Sequence, residues 1–391
     1  MGNGWLPVPG QQEPKSTGTG LPDMFSLRRF MVTTFFILAV LALGVFLFLQ
    51  SQPFGRNPAG DRLARIERSP HYRDGSFQNM EPTDVMRQDA SKLEMARDFF
   101  NKPADNVPQH PLPTVRTDLT TLPDSTPTIV WFGHSSYLIK SHGTTILVDP
   151  VFSGYTAPVS FFSKAFPGTN VYSADDMPPI DMLILTHDHY DHLDAETIPK
   201  LLPKVKKVYT GLGVGAHLER WGYAPEQIVE FDWWDNHTIS DSISLTATPA
   251  RHFSGRSLTR GKTLWTSFVL NLNGYRLFIG GDSGYDKQFK AVGEKFGPFD
   301  LAMLECGQYG NDWPNIHMFP EQTAQAAHDL NTKLLLPVHW GKFALSVHSW
   351  NESIRRLEAQ ILKTPLPLVT PRIGEPFSLG GPYPRQPWWQ D

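Results

Sequence analysis

Residues 186 to 194 read Thr-His-Asp-His-Tyr-Asp-His-Leu-Asp, so four potential metal ligands, His187, His189, Asp191 and His192, crowd into one short turn. The apolar run Met182-Leu183-Ile184-Leu185 just before it reads as a buried strand. A strand ending in such a turn is a rigid way to present imidazoles and carboxylates to a cation. That donor set suits zinc or another divalent transition metal, with no thiolate involved. The four groups lie too close along the chain to serve one ion easily, which points to two ions side by side. A polar loop with clustered histidines is the plain alternative, and the scarcity of buried charge weighs against it.

Two ions need more ligands, and three later positions have suitable side chains just after strand-like runs. His252 follows residues 243–248, Asp282 follows 275–279, and His339 follows 333–336. If these strand ends converge, His187, His189 and His252 hold one ion and Asp191, His192 and His339 the other. Asp282 then bridges both, because a carboxylate has two oxygens. Each later residue taken singly is more often a hydrogen-bonded structural group, so the joint pattern carries the expectation. His134 reads as structural support, and Asp149 as a carboxylate that anchors a turn or a ligating histidine.

With these residues assembled, the chain resembles the metallo-β-lactamase superfamily, whose signature is His-x-His-x-Asp-His. Within it the closer resemblance is to the N-acyl-phosphatidylethanolamine-hydrolysing phospholipase D family. The matching stretches are Trp131-Phe-Gly-His-Ser-Ser, Leu147-Val-Asp-Pro-Val-Phe, the ligand turn, Pro249-Ala-Arg-His and Thr263-Leu-Trp. Further on come Gly281-Asp-Ser-Gly-Tyr, Lys295-Phe-Gly-Pro-Phe-Asp-Leu and Val338-His-Trp-Gly-Lys-Phe-Ala-Leu. They span roughly residues 126 to 350. The resemblance implies an α/β fold of the αββα sandwich type, two zinc ions per chain and the seven ligands named above. It also points to His317 as a group that touches substrate. The superfamily hosts several chemistries, so the fold by itself names no substrate.

Two zinc ions about 3.5–4 Å apart generate a nucleophile from water at neutral pH and neutralise developing charge on a phosphoryl oxygen. A phosphodiester suits such a site, with Asp191, Asp282 and His317 as the catalytic groups. The expected substrate is a membrane phospholipid of the N-acyl-phosphatidylethanolamine kind. A lactonase or other small-ester hydrolase would use the same residues. A non-catalytic, metal-stabilised membrane assembly protein is the rival from another class, and a full two-ion ligand set weighs against it, since structural zinc sites are closed and mononuclear.

The elements that must position these groups begin after residue 126. Strands are predicted at 128–132, 136–140, 144–148, 182–186, 206–210, 243–248, 264–271, 275–279, 300–304 and 333–336. Helices are predicted at 194–202, 213–220, 286–296, 321–331 and 350–361. Strands followed by alternating strands and helices fit two packed sheets with helices outside. Residues 126–391 are therefore expected to form the hydrolase domain. An apolar content of 40% supplies its core. A net charge of −4 without a basic stripe gives no reason to expect nucleic acid. The single cysteine, Cys306, excludes an internal disulfide and reads as a small buried apolar residue. A homodimer is compatible with all of this.

The first 125 residues read differently. Residues 1–29 are Gly-, Pro- and polar-rich and are expected to be disordered. Phe30 to Leu49 is an uncharged apolar run, at ~1.5 Å per residue long enough for a single-pass transmembrane anchor. A signal peptide is the alternative, against which stand the length and the lack of a clear cleavage site. Arg28 and Arg29 before the run favour a cytoplasmic N-terminus and a catalytic domain on the non-cytoplasmic side. Residues 50–125 read as an irregular Pro-rich arm with a helix near 84–100. The aromatic stretch 151–172, with Phe161, Phe162 and Phe166, is a candidate lipid-facing insertion.

Overall fold

In a computed structural model of the chain, residues 1–5, 10, 24–363 and 366–390 are described. The expectation for 1–29 falls largely outside these residues, but its last part is corrected: helix α1 runs Met24–Leu49 and takes in 24–29. Arg28 and Arg29 thus sit inside the helix, since nothing before Phe30 breaks it. Leu27–Leu49 is long and apolar enough to cross a membrane, and Phe35, Phe36, Leu41 and Leu47 are all exposed along it. Residues 1–51 form one compact unit and 52–391 a second.

The second unit opens with α2 (Gly60–Ile66), a hairpin of β1 (Tyr72–Arg73) and β2 (Ser76–Phe77), and α3 (Lys92–Phe100). The arm is therefore more ordered than expected. Its helix is shorter than 84–100, because Ser91 caps it by accepting from the Glu94 amide. Upstream, the Arg87 amide donates to Asp312 O instead of to a helical carbonyl. The arm shares a small core with the rest of the unit, in which Ile66 and Phe77 are buried with Leu212, Trp233 and Trp265.

Two sheets follow. The first holds β3 (Thr128–Trp131), β4 (Tyr137–Ser141), β5 (Thr144–Val148), β6 (Ile180–Leu185), β7 (Val205–Gly211) and β8 (Ile228–Phe231). Helices α4 (Thr197–Leu201) and α5 (Gly215–Arg220) connect its later strands. The second holds β9 (Asn236–Ser240), β10 (Ile243–Thr248), β11 (Ser267–Leu272), β12 (Tyr275–Ile279), β13 (Leu301–Glu305) and β14 (Leu335–Val338). Its helices are α6 (Gln288–Phe296), α7 (Pro320–Asp329) and α8 (Glu352–Ile361). Finally β15 (Pro376–Ser378) returns to pair with β3 at the edge of the first sheet.

Side-chain alternation explains the layering. Ile129, Trp131, Ile146, Val148, Met182 and Ile184 join Leu245, Phe268 and Leu270 in the core between the sheets. Their neighbours Val130, Leu147, Leu183 and Leu185 point the other way and bury against Ile198, Leu201 and Leu218 of the connecting helices. Parallel strands covered on both faces read as continuous apolar runs, as the stretch before the ligand turn does. The result is the metallo-β-lactamase fold. Every strand predicted after residue 126 is present within a few residues. Strands β8, β9 and β15 were not anticipated; β9 is an exposed polar edge without an apolar signal.

Candidate metal centre

Strand direction brings the ligands together. Strands β12, β13 and β14 are parallel, and β10 runs the same way because β11 is antiparallel to both its neighbours. Their C-terminal ends therefore share one edge, carrying His252, Asp282, Glu305 and His339 in turn. In the first sheet, β5 and β6 are parallel and end in Asp149 and the ligand turn. Open α/β sheets bind ligands at such carboxyl ends. His134, Asp149, Gln308 and His339 all have positive φ here, a conformation that persists only where the surroundings over-determine it.

The seven predicted ligands fall into two groups. In the first, His187 Nε2 lies 3.0 Å from His189 Nδ1, and His252 Nε2 lies 3.1 Å from the same atom. Asp282 Oδ2 is 3.7 Å from both His187 Nε2 and His252 Nε2. A tetrahedral shell with 2.0–2.1 Å bonds separates its donors by about 3.3 Å. The group therefore fits a divalent ion. In the second, His192 Nε2 is 3.6 Å from Asp191 Oδ2 and 3.1 Å from Asp282 Oδ1. His339 places Nδ1 3.1 Å from Asp282 Oδ1 and Nε2 4.0 Å from Asp191 Oδ2. His192 Nε2, His339 Nε2 and Asp282 Oδ1 are buried without a hydrogen-bond partner. Unpartnered buried polar atoms are expensive, and His134, Asp191, His192 and His339 offer ligand atoms within 4.8 Å of one another, so a cation held there would meet the free imidazole nitrogens.

The surrounding hydrogen bonds aim these donors. His192 Nδ1 meets Asp149 Oδ2 at 2.8 Å, and Asp149 also accepts from the Thr186 amide and hydroxyl. His252 Nδ1 donates to Ile316 O at 2.9 Å. Each bond fixes the tautomer that leaves Nε2 facing the cluster. Asp149 thus has the role expected of it.

Burial sets the charges. It pushes His189 down to about 4 and holds His187, His252 and His339 well below the usual imidazole range, so they stay neutral and ready to ligate. Burial also opposes charge on His192, but Asp282, Asp191 and Asp149 outweigh it and raise this imidazole. Asp282 is raised to about 6, chiefly by burial, against the pull of His192 and with Glu305 adding to the rise.

Three groups near the centre were missed or underweighted. Glu305 is fully buried and takes His317 Nδ1 on Oε2 at 2.7 Å. Its signal was legible: an acid ending the apolar run Leu301-Ala-Met-Leu, like the ligands at the other strand ends. His134 is more than a general support, because its Nε2 sits 2.8 Å from Asp191 Oδ2 and its ring 4.1 Å from that of His339. Asn79 on the arm had no sequence signal. It receives the His252 amide on Oδ1 and donates Nδ2 to His252 O, clasping a ligand's backbone from 173 residues away.

His317 lies beside the cluster, its ring stacked 5.2 Å from His339. It lines a cavity of about 290 Å³ with His189, Asp191, His252, Asp282 and His339. The rest of the lining is mostly apolar, Val85 and Met86 from the arm, Phe253, Trp313, Ile316 and Leu345, together with Arg260 and Gln308. A larger cavity of about 610 Å³ adjoins it and shares Val85, His252, Phe253 and Arg260. Of the 151–172 insertion, Phe161 and Phe162 are exposed, whereas Phe166 is buried in the core and offers nothing to lipid.

Comparison with known proteins agrees with this geometry. Residues 144–340 match the β-lactamase superfamily domain. An uncharacterised protein of Mycobacterium tuberculosis is 36% identical over 334 residues, covering 83% of this chain and 88% of the relative. The mitochondrial N-acyl-phosphatidylethanolamine-hydrolysing phospholipase D of Saccharomyces cerevisiae is 33% identical over 239 residues, 58% of this chain and 50% of that protein. Among solved structures, a metallo hydrolase from Ignicoccus hospitalis superposes with a TM-score of 0.51 at 20% identity, covering 66% of this chain and all of that one, a likeness of fold alone. With its candidate ligands gathered at the strand ends, the chain belongs to the metallo-β-lactamase superfamily and is a metallo-hydrolase of that group.

Proposed function

We propose that the chain is a di-zinc phosphodiesterase of the phospholipase D type, acting on N-acyl-phosphatidylethanolamine-like lipids at a membrane. The observation that carries this reading is the division of Asp282, with Oδ2 toward His187 and His252 and Oδ1 toward His192 and His339. A pair of zinc ions held there, when bound, supplies an activated water at neutral pH and offsets charge on a phosphoryl oxygen.

The chain's own residues position the reaction. Asp191 and Asp282 orient the attacking oxygen, with Asp191 itself steadied by His134. Glu305 holds Nδ1 of His317, so Nε2 is the atom left for substrate. From the cavity wall it can bind a phosphoryl oxygen or return a proton to the leaving oxygen. Water adds across the P–O bond on the ethanolamine side, giving phosphatidate and an N-acylethanolamine. The apolar wall suits a lipid limb and keeps bulk water from the centre. Anchoring through α1 would raise the local concentration of membrane substrate, with the catalytic unit on the non-cytoplasmic side.

The test is to supply detergent-dispersed N-acyl-phosphatidylethanolamine to the purified full chain and measure lipid products and bound zinc. Phosphatidate is expected, with two zinc ions per chain. Turnover of lactones without that diester would replace this reading by carbonyl chemistry at the same residues.

A further inference from the structure

The few residues that follow the apolar helix are built into the support of the ligand turn. Arg256 is 4% exposed and makes no hydrogen bond to a carboxylate. Its Nη1 donates to Asp188 O at 2.7 Å and to Leu193 O at 2.6 Å. Those carbonyls lie just before His189 and just after His192, so one guanidinium ties both ends of the ligand turn. Its Nε donates to Pro53 O at 2.9 Å. The plane is held over Tyr190 at 4.2 Å and Trp221 at 5.3 Å. Its Nη2 is buried without a partner, so the seat rests on the Nε and Nη1 bonds, and losing the Pro53 bond would loosen it.

A second line runs through His217, which is buried. The Arg56 amide donates to His217 Nδ1 at 3.0 Å. That bond places the ring proton on Nε2, which faces Asp188 Oδ2 at 3.3 Å. Asp188, between two ligands in sequence, is completed by the Gly255 amide and the Thr263 hydroxyl. The approach is close: a Cβ on Gly55, whose φ is +63°, would stand 2.0 Å from His217 Nδ1. Gln52 adds ties at its side chain, to Ala195 O, and at its carbonyl, which accepts from Trp221 Nε1.

We propose that residues 52–57 are a strap that sets the geometry of the ligand turn through two positioning residues, Arg256 and His217. This rests on the metal-binding part of the proposed function and not on its substrate. The strap makes metal affinity depend on a segment outside the family-matched residues 144–340 and carrying none of the seven ligands. Partners that orient a ligand's surroundings typically change metal affinity about 10–100-fold.

The experiment is zinc competition against a chromogenic chelator, on the detergent-solubilised full chain. Gly55→Val, which drives the strap off His217, should weaken at least one of the two zinc ions by about tenfold or more. His217→Phe should do the same. His217→Gln, which keeps a donor toward Asp188, should bind within about threefold of wild type. A milder variant, for use if Gly55→Val does not fold, pairs Gln52→Ala, which loses the side-chain tie to Ala195 O, with Asn57→Ala, whose Nδ2 donates to Thr259 Oγ1 at 3.1 Å, and should weaken zinc by about threefold. Excess zinc should restore turnover in each weakened variant. Wild-type affinity in the strap variants, or a loss in His217→Gln equal to that in His217→Phe, would overturn the strap. A wild-type chain that binds no zinc would instead overturn the metal centre itself, and the strap with it.

Discussion

Asp282 concentrates the chemistry of the site in one side chain. Its carboxylate reaches both ligand groups, so Asp282→Asn should leave one group short of an anionic donor. We expect turnover to fall roughly a thousandfold, ~4 kcal/mol of barrier, with bound zinc dropping below two per chain and circular dichroism unchanged. Full zinc retention with normal turnover would argue against the bridge. Lys342 is a different kind of residue, buried and donating to Phe132 O and Val151 O. Burial pushes its ammonium down to about 7, opposed by Asp194. The unfolded chain, with an ordinary lysine, then binds more protons than the folded one between about pH 7 and the usual lysine value. The penalty is complete below pH 7 and is relieved as pH rises above it. Wild type should therefore gain stability relative to Lys342→Met, by several kcal/mol, between pH 7 and 10 in denaturant titrations. Parallel pH profiles would mean that Lys342 is not a buried cation.

At the scale of elements, the sheet edges collect ligands and the arm completes the pocket. The segment from Asn79 to Arg87 is pinned at several points: to the His252 backbone, by Arg251 to Thr83, and by the Arg87 amide to Asp312. It carries Val85 and Met86 to the apolar wall. Met86→Lys should raise KM for a long-chain acyl diester about tenfold, the worth of one apolar contact, and leave a small probe such as bis(p-nitrophenyl) phosphate nearly unchanged. An equal effect on both probes would mean that Met86 does not contact the lipid limb. The strands and the ligand turn were legible because apolar alternation and a dense histidine motif are local signals. The arm was not. Its ordering comes from hydrogen bonds to partners such as His252 and Asp312, which no periodicity within 50–125 encodes.

For the whole molecule, α1 and the catalytic unit form separate compact bodies. The full chain should sediment with membranes. Replacing both Leu38 and Leu43 with Arg should release it, since each central arginine opposes insertion by about 2.5–3.5 kcal/mol. Retention of the double variant on membranes would assign the attachment to another surface. Exposed Phe161 and Phe162 would then be the first place to look.

The sequence by itself marked the ligand-dense turn, the candidate donors at the ends of later strands and the alternation of strands and helices, because each is written in residue type and local pattern. Tertiary structure alone decided that Glu305 takes His317 Nδ1, that Asn79 of the arm clasps the His252 backbone, and that residues 52–57 pack against His217 and Arg256. Those facts depend on where strand ends meet and on contacts between residues more than 150 positions apart, as between Asn79 and His252 or Arg56 and His217. Such contacts leave no trace in local pattern.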